Sequence, residues 1–322
     1  MLKRIPGELS NFFRIILLSF FSIDCHNMAT SGIELLLHNG SSLRVFVNFG
    51  MMLSDEAALH AAYQCKGASG LKPCALCSNV FNMQTHRDVA GADPTGIARY
   101  HTDCTIADLR LHNLDTVTAI ARRLQAAAAA GISSRNLQEL ETRLGFNYAP
   151  HGVLQDDYLR PIADPTQHLM YDTMHIYYVN GIFGNHVGRL VEALKPFGVT
   201  YETIGTYVSR WTLPSRGGKR GLADGFVGKR AKASWDDGRF KCTASEALSL
   251  VPILGQFVEA SVLTMANNVA KQHGASFMLL VKVLELIEGC ARDATTPREL
   301  QHAIVAHLRS FRALYGVEWM PI

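Results

Sequence analysis

The chain has 322 residues, of which 48% are hydrophobic and 18% are charged. This composition provides enough apolar side chains for a full core and argues against wholesale disorder. The formal net charge is only +3, which permits a nucleic-acid partner without indicating one. The seven cysteines are odd in number and lie in a long chain, so a disulfide scaffold is a poor interpretation.

The N-terminus carries an apolar run at residues 15–21, preceded by Lys3 and Arg4. We interpret this run as a buried helix or strand, with a signal peptide as the minor alternative. It is too short to cross a bilayer, and no later segment reaches transmembrane length without charges. We therefore expect no membrane partner.

The clearest β pattern comes next. Two apolar, β-branched runs at 33–37 and 43–49 flank an Asn-Gly pair at 39–40, which predicts a β-hairpin. The second run leads to Ser54, which is the predicted cap of a short helix that begins at Glu56.

Most of the remaining chain has helical spacing. Residues 65–103 show little periodicity, which predicts an irregular loop that would need a cross-link such as a bound metal ion to hold its conformation. Helix is predicted from about residue 106, ending at Gly131 and starting again at Ser133. Further helices are expected at about 176–194, 200–212, 244–270, 274–291 and 297–315.

The predicted loop contains a candidate metal site. Cys74 and Cys77 form a Cys-x-x-Cys pair, which places two thiolates on one tight turn where both can reach one tetrahedral ion. His101 and Cys104 form a second pair, and Cys65 is a further candidate ligand, as is the rival His86. We expect zinc in a structural role, because protein ligands would fill all its places. Free thiols or a redox pair are the alternatives.

Two aspartates follow predicted strand ends. Asp55 follows the second run of the hairpin region, and Asp172 ends a short apolar run at 168–171. A few carboxylates on adjacent strands can hold Mg²⁺ for phosphoryl transfer, and His175 lies one helical turn beyond Asp172. From the residues alone, helix capping is the stronger interpretation of either aspartate.

The order of these motifs resembles the catalytic region of CACTA-type (En/Spm-like) DNA transposases. The resemblance is carried by Leu53-Ser-Asp-Glu-Ala-Ala, a glycine-containing spacer, Cys74-x-x-Cys77 and then Asp172-Thr-Met-His-Ile-Tyr-Tyr-Val-Asn-Gly. It implies an RNase H-like core, in which Asp55 matches the first metal-binding carboxylate and Asp172 matches the second. It also implies a mostly helical insertion before a third acidic residue.

The sequence departs from the family pattern at two places. Ala57 stands where the family often has proline, and no segment matches the family's Glu-Arg-Tyr or Glu-Arg-Lys form that carries the third carboxylate. Glu246, Glu285 and Glu288 lie on predicted helices, but none matches that motif. The resemblance therefore implies an incomplete or inactive transposase domain.

A basic, glycine-rich segment lies at 216–238, and Trp211 and Trp235 flank its basic residues. This pattern predicts a loop that contacts DNA. Its clusters also resemble a two-part nuclear import signal, which predicts the nucleus, with the cytoplasm as the alternative. A solvated surface loop is the competing interpretation. The candidate DNA-binding residues are Arg216, Lys219, Arg220, Lys229, Arg230 and Lys232.

Together these observations predict a helix-rich α+β chain: a split RNase H-like core of few strands, with a zinc-binding loop and large helical insertions. The expected function is Mg²⁺-dependent DNA cleavage and strand transfer. The alternative is a non-catalytic, zinc-stabilised module that binds nucleic acid or protein. A homo-oligomer is compatible with either. The predicted segments are 1–30 (apolar), 31–64 (first part of the core), 65–105 (zinc loop), 106–149 (helical insertion), 150–195 (second part of the core) and 196–322 (helical insertion with the basic loop).

Overall fold

The computed structural model describes residues 8–22, 26–81, 99–100, 107, 109–179, 181–211 and 221–316. The chain is helix-rich with few strands, which lie in small sheets, as the coarse fold prediction expected. It divides into two compact units, and the division falls between Asp172 and Thr173. This boundary lies inside the predicted second core segment.

The first unit contains helices that pack one face each into a shared core. Asn113 caps its third helix through a capping box with Thr116, and Ser133 caps the next. The core includes Phe13, Leu17 and Tyr63, together with Val117 and Leu124 of the third helix. The helices are α1 (Glu8–Phe20), α2 (Glu56–Tyr63), α3 (Leu114–Ala129), α4 (Ser134–Leu144) and α5 (Pro165–His168), with 3₁₀ turns at Gly67–Ser69 and Val153–Gln155.

The strands of the first unit form three separate two-stranded sheets in the described residues. The predicted hairpin is confirmed: its two strands are antiparallel, and Gly40 supplies a φ of +82° in the turn. The other two pairs are parallel. The strands are β1 (Ile33–Leu36) with β2 (Ser42–Val45), β3 (Met52–Ser54) with β6 (Leu169–Tyr171), and β4 (Val80–Phe81) with β5 (Arg99–Tyr100).

The described residues of the second unit form helices joined by turns and short connections, with no strand among them. Two glycines of its first α-helix mark close packing: a Cβ on Gly184 or Gly188 would lie 2.6 or 2.4 Å from a backbone carbonyl oxygen. The helices are α6 (Ile182–Leu194), α7 (Tyr201–Val208), α8 (Gly228–Asp237), α9 (Ala244–Phe257), α10 (Asn268–Cys290) and α11 (Pro297–Tyr315), with π-helical segments at Met174–Tyr178 and Val258–Val262 and 3₁₀ turns at Lys195–Phe197 and Leu222–Phe226.

Several local predictions were wrong. The helix predicted at 176–194 is interrupted between the π-helical segment Met174–Tyr178 and α6, and the helix predicted at 244–270 is interrupted at residues 263–267. Ser54 does not cap α2; Asp55 does, because its side chain accepts a hydrogen bond from the Ala58 amide, and this confirms the capping interpretation of Asp55. The helix expected from residue 106 begins only at Leu114, where the capping box sets its start. The segment 216–238 is not one loop, since residues 228–237 form α8.

No helix in the described residues is both long enough and apolar enough to cross a membrane.

Candidate functional site

Asp55 and Asp172 follow the ends of two strands that pair with each other. Strands β3 and β6 are parallel, and Ser54 lies opposite Tyr171 at their carboxyl ends. The Asp172 amide donates to the Ser54 carbonyl oxygen at 3.0 Å, so the pairing extends one residue beyond the strands. The structure thus brings together two segments that are distant in sequence, and both aspartates leave the same end of one small sheet.

Asp55 also has a structural task. Its Oδ1 accepts a hydrogen bond of 2.7 Å from the Ala58 amide and thereby caps α2. A carboxylate has a second oxygen, so capping is compatible with holding a cation. Both aspartates are half-buried, a setting in which solvent can still reach the carboxylates.

His175 belongs to the second unit, where it lies exposed in the π-helical segment Met174–Tyr178. The sequence had placed it just before an α-helix, one turn beyond Asp172. Its role in orienting a site or a phosphate stays a prediction.

Three cysteines of the predicted zinc loop interact with one another, and we call Cys65, Cys74 and Cys77 the thiol cluster. A hydrogen bond from the Cys77 thiol lowers the pKa of Cys74 to about 6, against the opposing effect of burial. Burial raises the pKa of Cys65, and the nearby charge of Cys74 adds to that shift. None of the three forms a disulfide bond, and a lowered pKa favours the thiolate form that binds metals.

Backbone pairing holds the thiol cluster in place. Cys65 follows α2 directly and forms an isolated β-bridge with Phe146, and Cys77 forms another with Leu111. The His112 amide donates to the Leu76 carbonyl oxygen at 2.8 Å, which fixes the turn between Cys74 and Cys77. Elements that follow the zinc loop in sequence therefore hold its cysteines.

The thiol cluster lies beside the strand ends that carry the two aspartates. Burial is the main cause of the raised pKa of Tyr171, and the charges of the three cysteines and of Glu56 raise it further. Tyr171 directly precedes Asp172, and Glu56 directly follows Asp55. No sequence pattern indicated this proximity, because it depends on the pairing of β3 with β6.

The predicted zinc shell is only partly within the described residues. His101 and Cys104 lie outside them, as does the rival ligand His86. Among the described residues, no group of three or more His, Cys, Asp or Glu side chains is arranged to hold a metal ion. Zinc therefore stays a prediction, and the paired thiols at Cys74 and Cys77 are its main support.

The predicted DNA-binding segment is partly helical, and one of its basic residues is paired with a carboxylate. Lys229 and Lys232 are exposed on α8, whereas Arg230 donates two hydrogen bonds, of 2.9 and 2.8 Å, to the carboxylate of Glu246. Arg230 therefore ties α8 to α9. The Lys195 ammonium lies 4.3 Å from the ring centre of Trp235, which is 43% exposed. The other three candidates, Arg216, Lys219 and Arg220, lie outside the described residues.

No protein-family model, no curated protein sequence and no solved structure matches this chain.

Proposed function

We propose that this chain derives from the catalytic region of a CACTA-type transposase, with an RNase H-like core and a site for Mg²⁺-dependent phosphodiester chemistry. The observation that carries the proposal is the position of Asp55 and Asp172 at the same end of the paired parallel strands β3 and β6. Two carboxylates at neighbouring strand ends provide the hard oxygen ligands that Mg²⁺ prefers.

Asp55 and Asp172 would hold the cation, and Asp55 would also keep the hydrogen bond that caps α2. Bound Mg²⁺ would activate the attacking oxygen and offset the charge of the phosphate. In the cleavage step a water oxygen would attack phosphorus, the P–O3′ bond would break, and the 3′-oxygen would leave as a hydroxyl, taking up a proton that the water loses. In strand transfer that 3′-hydroxyl would attack a second phosphodiester, whose own P–O3′ bond would break, so that its 3′-oxygen would leave with the proton. Neither step forms a covalent bond to the protein.

The described residues offer no clear third carboxylate for this site. Glu246 is paired with Arg230 and also accepts from Thr243, so it serves the α8–α9 connection. Glu285 and Glu288 are exposed on α10, in agreement with the solvated face that their sequence pattern indicates. Two carboxylates bind Mg²⁺ more weakly than three, so the proposal is for a transposase-derived domain with little or no cleavage activity.

A second candidate function is a zinc-stabilised module that binds nucleic acid or protein without catalysis. The capping bond of Asp55 favours it, because capping alone accounts for an aspartate at that position. The thiol cluster would hold structural zinc in either case. The exposed Lys229 and Lys232 would contact a DNA backbone in the nucleus, again in either case.

The two functions can be separated by measuring Mn²⁺ binding to the full chain, with Mn²⁺ as the probe for the Mg²⁺ site. The variants are Asp55→Asn, Asp172→Asn and the double variant. The control is Asp115→Asn, which removes an exposed carboxylate from the first turn of α3.

We expect each single variant to lower Mn²⁺ affinity by about tenfold, which corresponds to about 1.4 kcal/mol. If one ion contacts both carboxylates, the two losses should not be additive in the double variant. Affinity in the single variants equal to that of the Asp115→Asn control would overturn the catalytic proposal and leave the second candidate.

A further inference from the structure

The thiol cluster supplies three sulfur ligands, whereas a structural zinc site takes four ligands. The sequence offered His101 and Cys104 to complete the set. The structure offers a different donor within the described residues, at a position that the sequence patterns did not single out.

His60 lies on α2, directly before the thiol cluster. Its backbone carbonyl oxygen accepts a hydrogen bond of 2.9 Å from the Cys65 amide, so the histidine and the first cysteine are held together. Its Nε2 atom is buried and has no hydrogen-bond partner. A buried ring nitrogen without a hydrogen bond is costly, and the cost disappears if the nitrogen binds a cation.

The His60 ring has two neighbours, Tyr171 and Glu56, that also lie near the thiol cluster. The ring meets Tyr171 edge to face, with 6.4 Å between centres, and the charges of all three cysteines act on Tyr171. The carboxylate of Glu56 lies 3.7 Å from Nε2, and the same carboxylate acts on Cys74. His60 and Cys74 therefore share two neighbours.

Gly67 makes room for this ring. A Cβ at Gly67 would lie 2.5 Å from two atoms of the His60 ring, which is closer than any side chain tolerates. The backbone of Gly67, two residues after Cys65, therefore packs directly against the His60 imidazole.

We infer that His60 is the fourth ligand of a transition-metal site formed with Cys65, Cys74 and Cys77. Three thiolates and one imidazole form a ligand set that suits Zn²⁺. In this structure the four side chains are not arranged at coordinating distances. Metal binding must therefore be coupled to a movement of these side chains toward the ion. The inference rests on the zinc site of the proposed function and replaces the His101 and Cys104 ligands in it.

The test is a Co²⁺ titration of the full chain, because visible absorption bands of Co²⁺ report the ligand number and the share of sulfur. The variants are His60→Ala and His60→Cys. The matched control is His112→Ala, since His112 is a buried histidine of the same unit whose Nε2, like that of the half-buried His60, has no hydrogen-bond partner. His101→Ala and Cys104→Ser test the rival ligands.

We expect one tetrahedral Co²⁺ per wild-type chain. His60→Ala should weaken binding by more than about 100-fold, because loss of even an outer-shell partner costs 10- to 100-fold. His60→Cys should bind and shift the spectrum toward four sulfur ligands, a rescue that a misfolded variant cannot give. The His112→Ala, His101→Ala and Cys104→Ser variants should keep the wild-type spectrum.

Unchanged Co²⁺ binding in His60→Ala would overturn the inference, as would a spectrum altered by His101→Ala or Cys104→Ser, or no Co²⁺ binding by the wild type. The outcome is independent of the catalytic proposal, because Mn²⁺ binding at Asp55 and Asp172 is a separate measurement. A Co²⁺ site without a Mn²⁺ site would leave the ligand assignment standing and remove only the catalytic function.

Discussion

Replacing Asp55 by asparagine or by alanine separates the two tasks of its carboxylate. Its Oδ1 accepts a hydrogen bond of 2.7 Å from the Ala58 amide and caps α2. The same carboxylate is a proposed cation ligand. Asparagine keeps an oxygen for the cap but has no charge for the cation, whereas alanine has neither.

The expected magnitudes follow from the cap. Replacement of a capping aspartate by alanine costs about 1 kcal/mol, which is about fivefold in the local opening equilibrium of the helix start. Asparagine caps about as well as aspartate, so Asp55→Asn should change that equilibrium by less than about twofold. Cation affinity should fall in both variants, since both lack the charge.

Hydrogen exchange of the Ala58 amide measures the cap directly, because this amide is the donor. Its exchange should be about fivefold faster in Asp55→Ala and nearly unchanged in Asp55→Asn. Added Mn²⁺ should slow the exchange only in the wild type. The Asp115→Asn variant controls for the loss of a negative charge in the first turn of a helix.

Two results would refute this reasoning. Exchange that is equally fast in Asp55→Asn and Asp55→Ala would show that charge, not capping, protects the Ala58 amide. An Mn²⁺ effect that persists in Asp55→Asn would show that the cation does not depend on this carboxylate.

Three further predictions concern stability and pH. Arg230→Ala removes two charged hydrogen bonds between α8 and α9 and should lower the free energy of unfolding by about 2 kcal/mol in urea titrations. The salt dependence of DNA binding should stay unchanged. If the slope of log affinity against log salt concentration fell by about one, Arg230 would be a phosphate contact. Burial lowers the pKa of His307 from its usual 6.5 to about 4. As the pH falls, the unfolded chain therefore binds the proton first, and the free energy of unfolding drops by up to about 3 kcal/mol between pH 6.5 and pH 4. The NMR chemical shift of the His307 imidazole should stay constant from about pH 7 to about pH 5, and a titration midpoint near 6.5 would contradict this. Gly67→Ala should lower the free energy of unfolding by more than Gly40→Ala, because both have positive φ but only a Cβ at Gly67 meets the His60 ring; equal losses in urea titrations would show that the ring yields without cost.

The local elements could be predicted from sequence because their causes are local. The Asn-Gly pair and its apolar, β-branched flanks determined the hairpin, and Gly131 and Ser133 marked the end of one helix and the start of the next. Errors arose where two local signals competed. Ser54 and Asp55 are both residue types that can cap a helix. The structure identifies Asp55 as the cap, because its backbone is extended and its side chain accepts from the Ala58 amide. The basic residues of α8 suggested a loop, yet the pairing of Arg230 with Glu246 holds a helix there.

By itself, the sequence determined the types of chemistry that the chain carries: thiols in a Cys-x-x-Cys pair, and aspartates after two apolar runs. Only the tertiary structure decided which of these groups meet. The parallel pairing of β3 with β6 places Asp55 and Asp172 at one sheet end, and the path of α2 brings His60 toward the cysteines. Such contacts form between segments far apart in the chain, and their energies come from packing that no local pattern encodes.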